Sequence, residues 1–304
     1  MLFRMEENNI ALHMIAALAK EFPQLYLAPG EEGARQYPEV VRRGRLPERR
    51  ELAHFHGSPA DDCRTVDTPA GAVRAVTLGD RRDFETFLQI MGRRCVPEEI
   101  PPTQGAEIIE GIVNRGKIER HREAFYRAAQ AAGQPEPGIL EWLEEHQRFT
   151  ADKANYTEAL IVLSVGPYSA VPAEQAAECL GAALTGEAWL DLSHTIRLYH
   201  ECGHFVCRRR FHGEADAVAD ELAADAVGIF AAIGRYDRPL AERFLGIRGG
   251  KYAGGRLENY TDDPAGLLPA IDAMLTALEE TAKKDADLPP LELAIRFREA
   301  VQNR

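Results

Sequence analysis

The chain has 304 residues, and its 36 Lys and Arg against 48 Asp and Glu give a formal net charge of −12 at pH 7. Hydrophobic residues make up 45% of it, which is typical of a globular protein and excludes a disordered chain. The acidic balance argues against nucleic-acid binding, because neutralising phosphates needs a basic surface, and no apolar run approaches the roughly 20 residues that span a bilayer.

The first half of the chain mixes predicted helices with predicted strands. Apolar spacing predicts helices over residues 8–22, 80–94 and 108–132, and a strand–turn–strand unit over residues 63–78. Residues 23–59 predict charged loops, and three prolines make 97–105 an extended loop. The apolar run Glu158–Val165 predicts a buried strand that ends at Gly166 and Pro167.

Beyond Pro172 the pattern is helical. The predicted helices cover residues 173–184, 187–209, 214–233, 239–245, 264–284 and 290–302. A glycine-rich loop at 248–256 interrupts them, and its spacing does not match a phosphate-binding loop. We therefore predict an α+β, mainly α fold, with a mixed substrate-shaping region at 1–135 and a helical metal-binding region at 136–304.

The segment His200-Glu201-Cys202-Gly203-His204 carries the strongest chemical signal. Residues four apart project from one face of a helix, so both imidazoles can bind one metal ion. Glu201 is offset by about 100° and can reach a water on that ion. The flanking residues are apolar, which indicates a buried helix, and a buried pair of histidines needs a partner.

A second helix offers that partner. If 187–209 and 214–233 form an antiparallel hairpin, Glu221 lies opposite His204 and Asp225 lies opposite His200. We assign Glu221 as the third metal ligand, and Asp225 as the acceptor of the ring N–H of a ligating histidine. The alternative is that both carboxylates pair with arginines such as Arg197 or Arg208.

The motif HECGH followed by DELAAD, within residues 193–230, resembles the gluzincin type of the zincin metallohydrolases. The resemblance implies Zn²⁺ held by His200, His204 and Glu221, with Glu201 as the general base that activates water. The wider chain is similar to an uncharacterised set of bacterial proteins through segments corresponding to Glu158–Glu174 and Ser193–Arg209. That second resemblance implies no substrate.

A hydrolase also needs a donor to the developing oxyanion. The candidates are Arg208, His212, Tyr252 and Tyr260, and Arg208 can alternatively hold a substrate carboxylate. Tyr168 follows the buried strand and is a further candidate for lining the pocket. Cys202 points away from the metal face and is assigned to core packing, whereas Cys207 lies nearer that face, where a fourth protein ligand would close the site to catalysis.

Five scattered cysteines predict free thiols in a reducing compartment, and Met1–Glu7 has acids where a secretory signal has its apolar core. We therefore expect a cytoplasmic metallopeptidase-like enzyme that cleaves an amide or peptide bond in a small peptide or amino-acid derivative. Two alternatives stay open: a non-haem Fe²⁺ enzyme on the same ligands, and a non-catalytic regulatory protein with a structural metal. Neither nucleic acid nor membrane is an expected partner, and the sequence does not reveal the oligomeric state.

Overall fold

The computed structural model describes residues 12–211 and 216–302. The fold is α+β and mainly helical, as predicted. The α-helices are α1 (His13–Glu21), α2 (Glu31–Val41), α3 (Arg81–Met91), α4 (Arg115–Ala131), α5 (Ile139–Thr150), α6 (Ala173–Leu180), α7 (Gly186–Arg210), α8 (Ala217–Ile233), α9 (Arg238–Leu245), α10 (Leu268–Lys284) and α11 (Pro290–Gln302). Among the residues described, no helix combines the length and apolar character needed to cross a bilayer.

The strands form two small sheets. Their bounds are β1 (Asp62–Val66), β2 (Val73–Leu78), β3 (Ala106–Val113), β4 (Thr157–Ser164), β5 (Ile247–Arg248) and β6 (Lys251–Tyr252). The first four form one sheet in the order β1-β2-β4-β3, and β5 pairs with β6 in an antiparallel hairpin. The central strands β2 and β4 are the most buried, since both of their edges are paired.

The described residues divide into two compact units that are discontinuous in sequence. The first contains the residues up to Arg64, together with Val76–Ile100 and Ile108–Val162; the second contains Thr65–Ala75, Pro101–Glu107 and the residues from Leu163 onward. The domain boundary placed at residue 135 stays a prediction.

The first unit has its own apolar core. The helices α1 and α3 supply much of it, and buried residues of β2, β3 and β4 complete it. Its largest fully buried side chains include Phe22, Phe84 and Phe87. The helix α3 begins at the Asp80 cap, whose carboxylate accepts the Arg82 N–H at 2.8 Å.

The predicted helix over 108–132 is wrong in its first part. Residues 106–113 form β3, and helix α4 starts only after Asn114, whose side chain accepts the Lys117 N–H. The isoleucines of this segment fit a helical spacing, but β-branched residues favour strands. Gly111 also has a φ of +70°, which ends any continuous right-handed helix.

Three further segments differ from the prediction. The helix α2 occupies part of the predicted loop 23–59 although it contains Gly33 and Pro38, and α5 falls where the sequence pattern predicted no element. The glycine-rich segment forms the β5–β6 hairpin and then a 3₁₀ turn, Arg256–Asn259. The predicted helix over residues 8–22 is helical from His13 to Glu21, and residues 8–11 lie outside the described residues.

The helices α7, α8 and α11 pack together in the second unit. Thr185 caps α7 and Asp216 caps α8, each by accepting a backbone N–H, and three arginines in the last turn of α7 offset its helix dipole. Gly228 permits the close approach of α8 to α7, since a Cβ there would lie 2.5 Å from the Ile196 carbonyl oxygen. This close approach brings the histidines of α7 opposite the carboxylates of α8.

Candidate metal centre

Three side chains converge between α7 and α8. His200 and His204 lie one turn apart on α7, both are buried, and their Nε2 atoms are 3.0 Å from each other. The Glu221 carboxylate faces both rings: Oε2 is 3.5 Å from His200 Nε2, and Oε1 is 3.4 Å from His204 Nε2. These three residues form a group whose ligand atoms all lie within 4.8 Å of one another.

The spacing of these atoms suits a tetrahedral cation. Zinc bonds of ~2.0–2.1 Å place neighbouring ligand atoms of a tetrahedron ~3.4 Å apart. The three measured separations of 3.0, 3.4 and 3.5 Å lie close to that value. The donor set, two imidazoles and one carboxylate, is also one that catalytic zinc uses.

The other nitrogen of each imidazole faces a carboxylate. His200 Nδ1 is 2.9 Å from Asp225 Oδ1, and His204 Nδ1 is 2.9 Å from Asp220 Oδ2. Asp225 is an acceptor, so His200 Nδ1 carries the proton and the neutral ring presents the lone pair of Nε2, whereas the contact between His204 Nδ1 and Asp220 is an ion-pair distance without hydrogen-bond geometry. The two Nε2 atoms and the Glu221 oxygens therefore form a compact group of electron-pair donors, which a proton or a bound metal ion can hold together.

The contacts among these side chains also determine the pKa values of His204 and Glu221. Burial disfavours the charged form of His204, but its interactions with Asp220 and Glu221 outweigh burial and raise its pKa to about 10. Burial likewise opposes ionisation of Glu221, yet the two histidines and Arg256 hold its pKa well below the usual range. The cluster thus keeps Glu221 anionic and attracts positive charge to the point between the rings.

Tyr168 and Arg256 complete the surroundings of Asp225. The Tyr168 hydroxyl donates to Asp225 Oδ1 at 2.6 Å and lies 2.9 Å from His200 Nδ1. Arg256 donates to the Tyr168 oxygen at 3.0 Å and to Asp225 Oδ2. Burial opposes ionisation of Asp225, but Arg256 and His200 together lower its pKa. Asp225 therefore stays anionic and holds His200 in one tautomer and one orientation.

A turn fixed to α7 presents Tyr168. The Arg197 guanidinium, one turn before His200, donates to the carbonyls of Ser164, Gly166 and Pro167 at 3.1–3.3 Å. The Tyr168 N–H donates to Ser193 Oγ at 3.0 Å. The next two residues, neither of them glycine, both have positive φ, 49° and 55°. Such strained backbone persists where the surroundings hold it, as these contacts do.

The carboxylate of Asp220 has a cation on its far side. Arg298 of α11 places Nε 3.4 Å from Asp220 Oδ1, and its side chain is only 4% exposed. Burial raises the pKa of Asp220, and the contacts with His204 and Arg298 reverse that effect and lower it. Each histidine of the group therefore lies beside a carboxylate that also contacts an arginine.

The predicted general base, Glu201, is half-buried on α7. Its negative charge contributes to the raised pKa of His204, so it lies within electrostatic reach of that ring. Within the described part of the chain, its carboxylate has neither a hydrogen bond nor an ion pair. Glu201 thus differs from Asp220 and Asp225, which are both held by basic partners.

The candidate oxyanion donors lie in different places. Tyr260 is beside Glu221, and burial together with that carboxylate raises the pKa of its hydroxyl. Tyr252 is committed to its own loop, since its hydroxyl bonds Gly255 O at 2.9 Å and Gly255 N at 2.7 Å. Arg208 is exposed and contacts none of the site residues described, while His212 lies outside the described residues.

The alternative of arginine pairing holds for Asp225, but with an arginine that sequence reasoning missed. Arg256 comes from the glycine-rich segment and carries no periodic signal that could have found it. The antiparallel register that places Glu221 opposite His204 also brings the neighbouring Asp220 close to His204, but the sequence analysis did not assign Asp220 a role. Tyr168 was named only as a pocket residue; its contact with the Nδ1 side of His200 places it away from the ligating nitrogen.

Two other sets of potential metal ligands, the cysteines and a group of three residues in the first unit, contain side chains with other contacts. None of the five cysteines, all within the described residues, forms a disulfide; Cys202 is fully buried, and Cys207 Sγ lies 3.7 Å from the Ala294 carbonyl oxygen. His56, Asp80 and Asp83 also form a group that could hold a cation. In that group, Asp83 accepts hydrogen bonds from the backbone N–H groups of His56 and Gly57, so its carboxylate stabilises the loop rather than a cation.

Comparison with known proteins gives a family and no activity. A family model described as "Family of unknown function (DUF7005)" matches residues 7–288. The chain belongs to this family. No curated protein and no solved structure matches the chain. The DUF7005 match includes every residue of the candidate metal centre, and the function has to be argued from that centre.

Proposed function

We propose that this DUF7005 protein is a metal-dependent hydrolase in which His200, His204 and Glu221 hold a zinc ion. One observation carries the proposal: two imidazole Nε2 atoms and a carboxylate converge in a buried site, while His200 Nδ1 is hydrogen-bonded to Asp225 and His204 Nδ1 lies 2.9 Å from Asp220. A zinc ion held there supplies Lewis-acid activation of water and of the carbonyl under attack.

The roles of the surrounding side chains follow from their contacts. Glu201, not held by any described residue, takes the proton of the attacking water and delivers it to the leaving amine. Asp225 keeps His200 in the tautomer that presents Nε2, and Asp220, 2.9 Å from His204 Nδ1, places a negative charge beside the other ring. Tyr260, beside Glu221, is our choice for the hydroxyl that stabilises the developing oxyanion.

A catalytic role is favoured over a structural one because the group offers three ligands among residues 12–211 and 216–302. A structural zinc site is closed by four protein ligands, whereas a catalytic site keeps one position for water. Cys207, the nearby thiol that could close the site, instead contacts the Ala294 carbonyl at 3.7 Å. We propose a small peptide or amino-acid derivative as the substrate, since the expected cytoplasmic location demands narrow specificity.

The deciding experiment compares bound metal with turnover. Protein purified without added metal is analysed by inductively coupled plasma mass spectrometry and assayed for amine release from dipeptides and N-acyl amino acids. We expect one zinc per chain in the wild type and in Glu201→Gln, with turnover lower by about 10²–10⁴-fold in that variant. His204→Ala should lose both metal and turnover.

Four results would contradict the proposal. Full turnover in Glu201→Gln would show that Glu201 is not the general base. A wild-type protein that takes up no metal after dialysis against zinc would show that the three residues do not form a metal site. Iron as the bound metal, with oxygen-dependent turnover, would support the non-haem iron alternative on the same ligands. A Co²⁺-substituted protein whose visible spectrum does not respond to acetohydroxamate would indicate a closed, structural site.

A further inference from the structure

A pocket in the first unit, away from the metal centre in sequence, has the features of a ligand site. It lies between α4 and α5 and has a volume of about 150 Å³. A cavity of roughly this size accommodates a benzene ring. Its apolar lining consists of Ile118 and Trp142, which are buried, and Leu143, which is 47% exposed.

The pocket holds more positive than negative charge. Arg115 and Arg122 line it together with a single carboxylate, Glu119. Arg115 Nη2 is 3.8 Å from one Glu119 oxygen and Arg122 Nη1 is 3.9 Å from the other, both too far for a hydrogen bond. Among the residues described, neither guanidinium donates a hydrogen bond. The side chain of Arg115 is only 16% exposed, so its donors are partly desolvated without a close acceptor.

Aromatic surface lies beside these charges. The Arg122 guanidinium carbon is 5.8 Å from the centroid of the Trp142 ring, and His146 meets the same ring edge-on at 5.6 Å. Burial and the positive charge of Arg115 lower the pKa of His146. The pocket thus combines apolar and aromatic lining with two guanidinium groups that both lie within 4 Å of the Glu119 carboxylate.

We propose that this pocket binds a small carboxylate with an aromatic or branched apolar body. The ligand carboxylate accepts hydrogen bonds from Arg115 and Arg122, and the apolar body packs on Trp142 and Ile118. Glu119 occupies the same pair of guanidinium groups at a longer distance, so it competes with the ligand. Removing the Glu119 charge should therefore strengthen binding of the carboxylate. A purely structural role of these arginines does not predict this increase in affinity.

The chain itself supplies a reporter. It has two tryptophans, Trp142 in the pocket and Trp189, which is 1% exposed in the second unit. Protein labelled with 5-fluorotryptophan gives two ¹⁹F resonances, and Trp142→Phe assigns them. Benzoate is the probe, with benzyl alcohol as its neutral counterpart and inorganic phosphate as an anion without an apolar body.

We expect benzoate to shift the Trp142 resonance in a saturable manner and to leave that of Trp189 unchanged. Arg122→Gln should weaken benzoate binding by about tenfold, and Glu119→Gln should tighten it. Arg127→Gln is the matched control, since Arg127 lies on the same helix, pairs with Glu123 at 3.5 Å and does not line the pocket. The control should bind benzoate as the wild type does.

Four outcomes would overturn the proposal. They are no shift at millimolar benzoate, an equal response to benzyl alcohol, an equal response to inorganic phosphate, and binding that Glu119→Gln leaves unchanged or weakens. The wild-type titration alone tests the pocket, so instability of a variant does not leave the question open. None of these results depends on the metal centre or on hydrolase activity.

Discussion

The close contact of α7 and α8 makes Gly228→Ala a sharp test of how the metal centre is built. A Cβ at Gly228 would lie 2.5 Å from the Ile196 carbonyl oxygen and 3.0 Å from its Cγ2. Ordinary contacts begin at 3.4 Å, so the helices would have to separate by up to about 0.9 Å. Overpacking of this kind costs roughly 1–3 kcal/mol.

Gly203→Ala is the matched control on the facing helix. A Cβ at Gly203 would meet Ala224 and Val227 at 3.6 Å, an ordinary distance. Both substitutions replace a glycine inside a helix, so both gain about 1 kcal/mol of helix propensity. That gain cancels in the comparison, and Gly228→Ala should unfold with a free energy roughly 1–3 kcal/mol lower than that of Gly203→Ala.

The same substitution should weaken metal binding. Ile196 precedes His200 by one helical turn, and Gly228 follows Asp225 by nearly one turn, so separation of the helices stretches the 2.9 Å contact between His200 and Asp225. We expect a loss of zinc affinity of about tenfold or more, measured by competition with a chelator. Urea unfolding gives the stability difference. Equal unfolding midpoints for the two variants would refute the packing argument.

Three other predictions concern the polar network. Tyr168→Phe removes the hydroxyl that donates to Asp225 and should lower zinc affinity by about 10–100-fold in chelator competition; an unchanged affinity would contradict its positioning role. Arg256→Gln leaves the buried Asp225 without its cation and should cost about 3–5 kcal/mol in urea unfolding, whereas Arg256→Lys should cost less; equal losses would argue against an ion pair. Removing metal with a chelator should lower the free energy of unfolding by about 2.7 kcal/mol relative to zinc at 100 times its Kd, and an unchanged thermal midpoint would speak against binding to the folded state.

The centre of the site could be predicted because its ligands lie on consecutive helices. The short connection between 187–209 and 214–233 fixes their antiparallel register, and the register alone brings Glu221 opposite His204 and Asp225 opposite His200. Burial of this region was also readable, since the flanks of His200 and His204 are apolar on nearly every side.

The supporting residues could not be predicted because they arrive from distant segments. Tyr168 is 57 residues from Asp225, and its position depends on where β4 ends and on the carbonyls that Arg197 holds. The position of Arg256 depends on the preceding β5–β6 hairpin. Its strands have only two residues each, so the sequence pattern does not predict them. The misassigned β3 has a similar cause: pairing with β4, rather than the spacing of its isoleucines, decides that it is a strand.

The central claim is that His200, His204 and Glu221 bind one cation between α7 and α8. Anomalous diffraction at the zinc edge, on crystals of protein purified without added metal, tests it most directly. We predict one peak per chain, about 2 Å from both Nε2 atoms and from a Glu221 oxygen. Zinc-soaked crystals with no peak between these side chains, or with Glu221 turned away from both histidines, would contradict the claim.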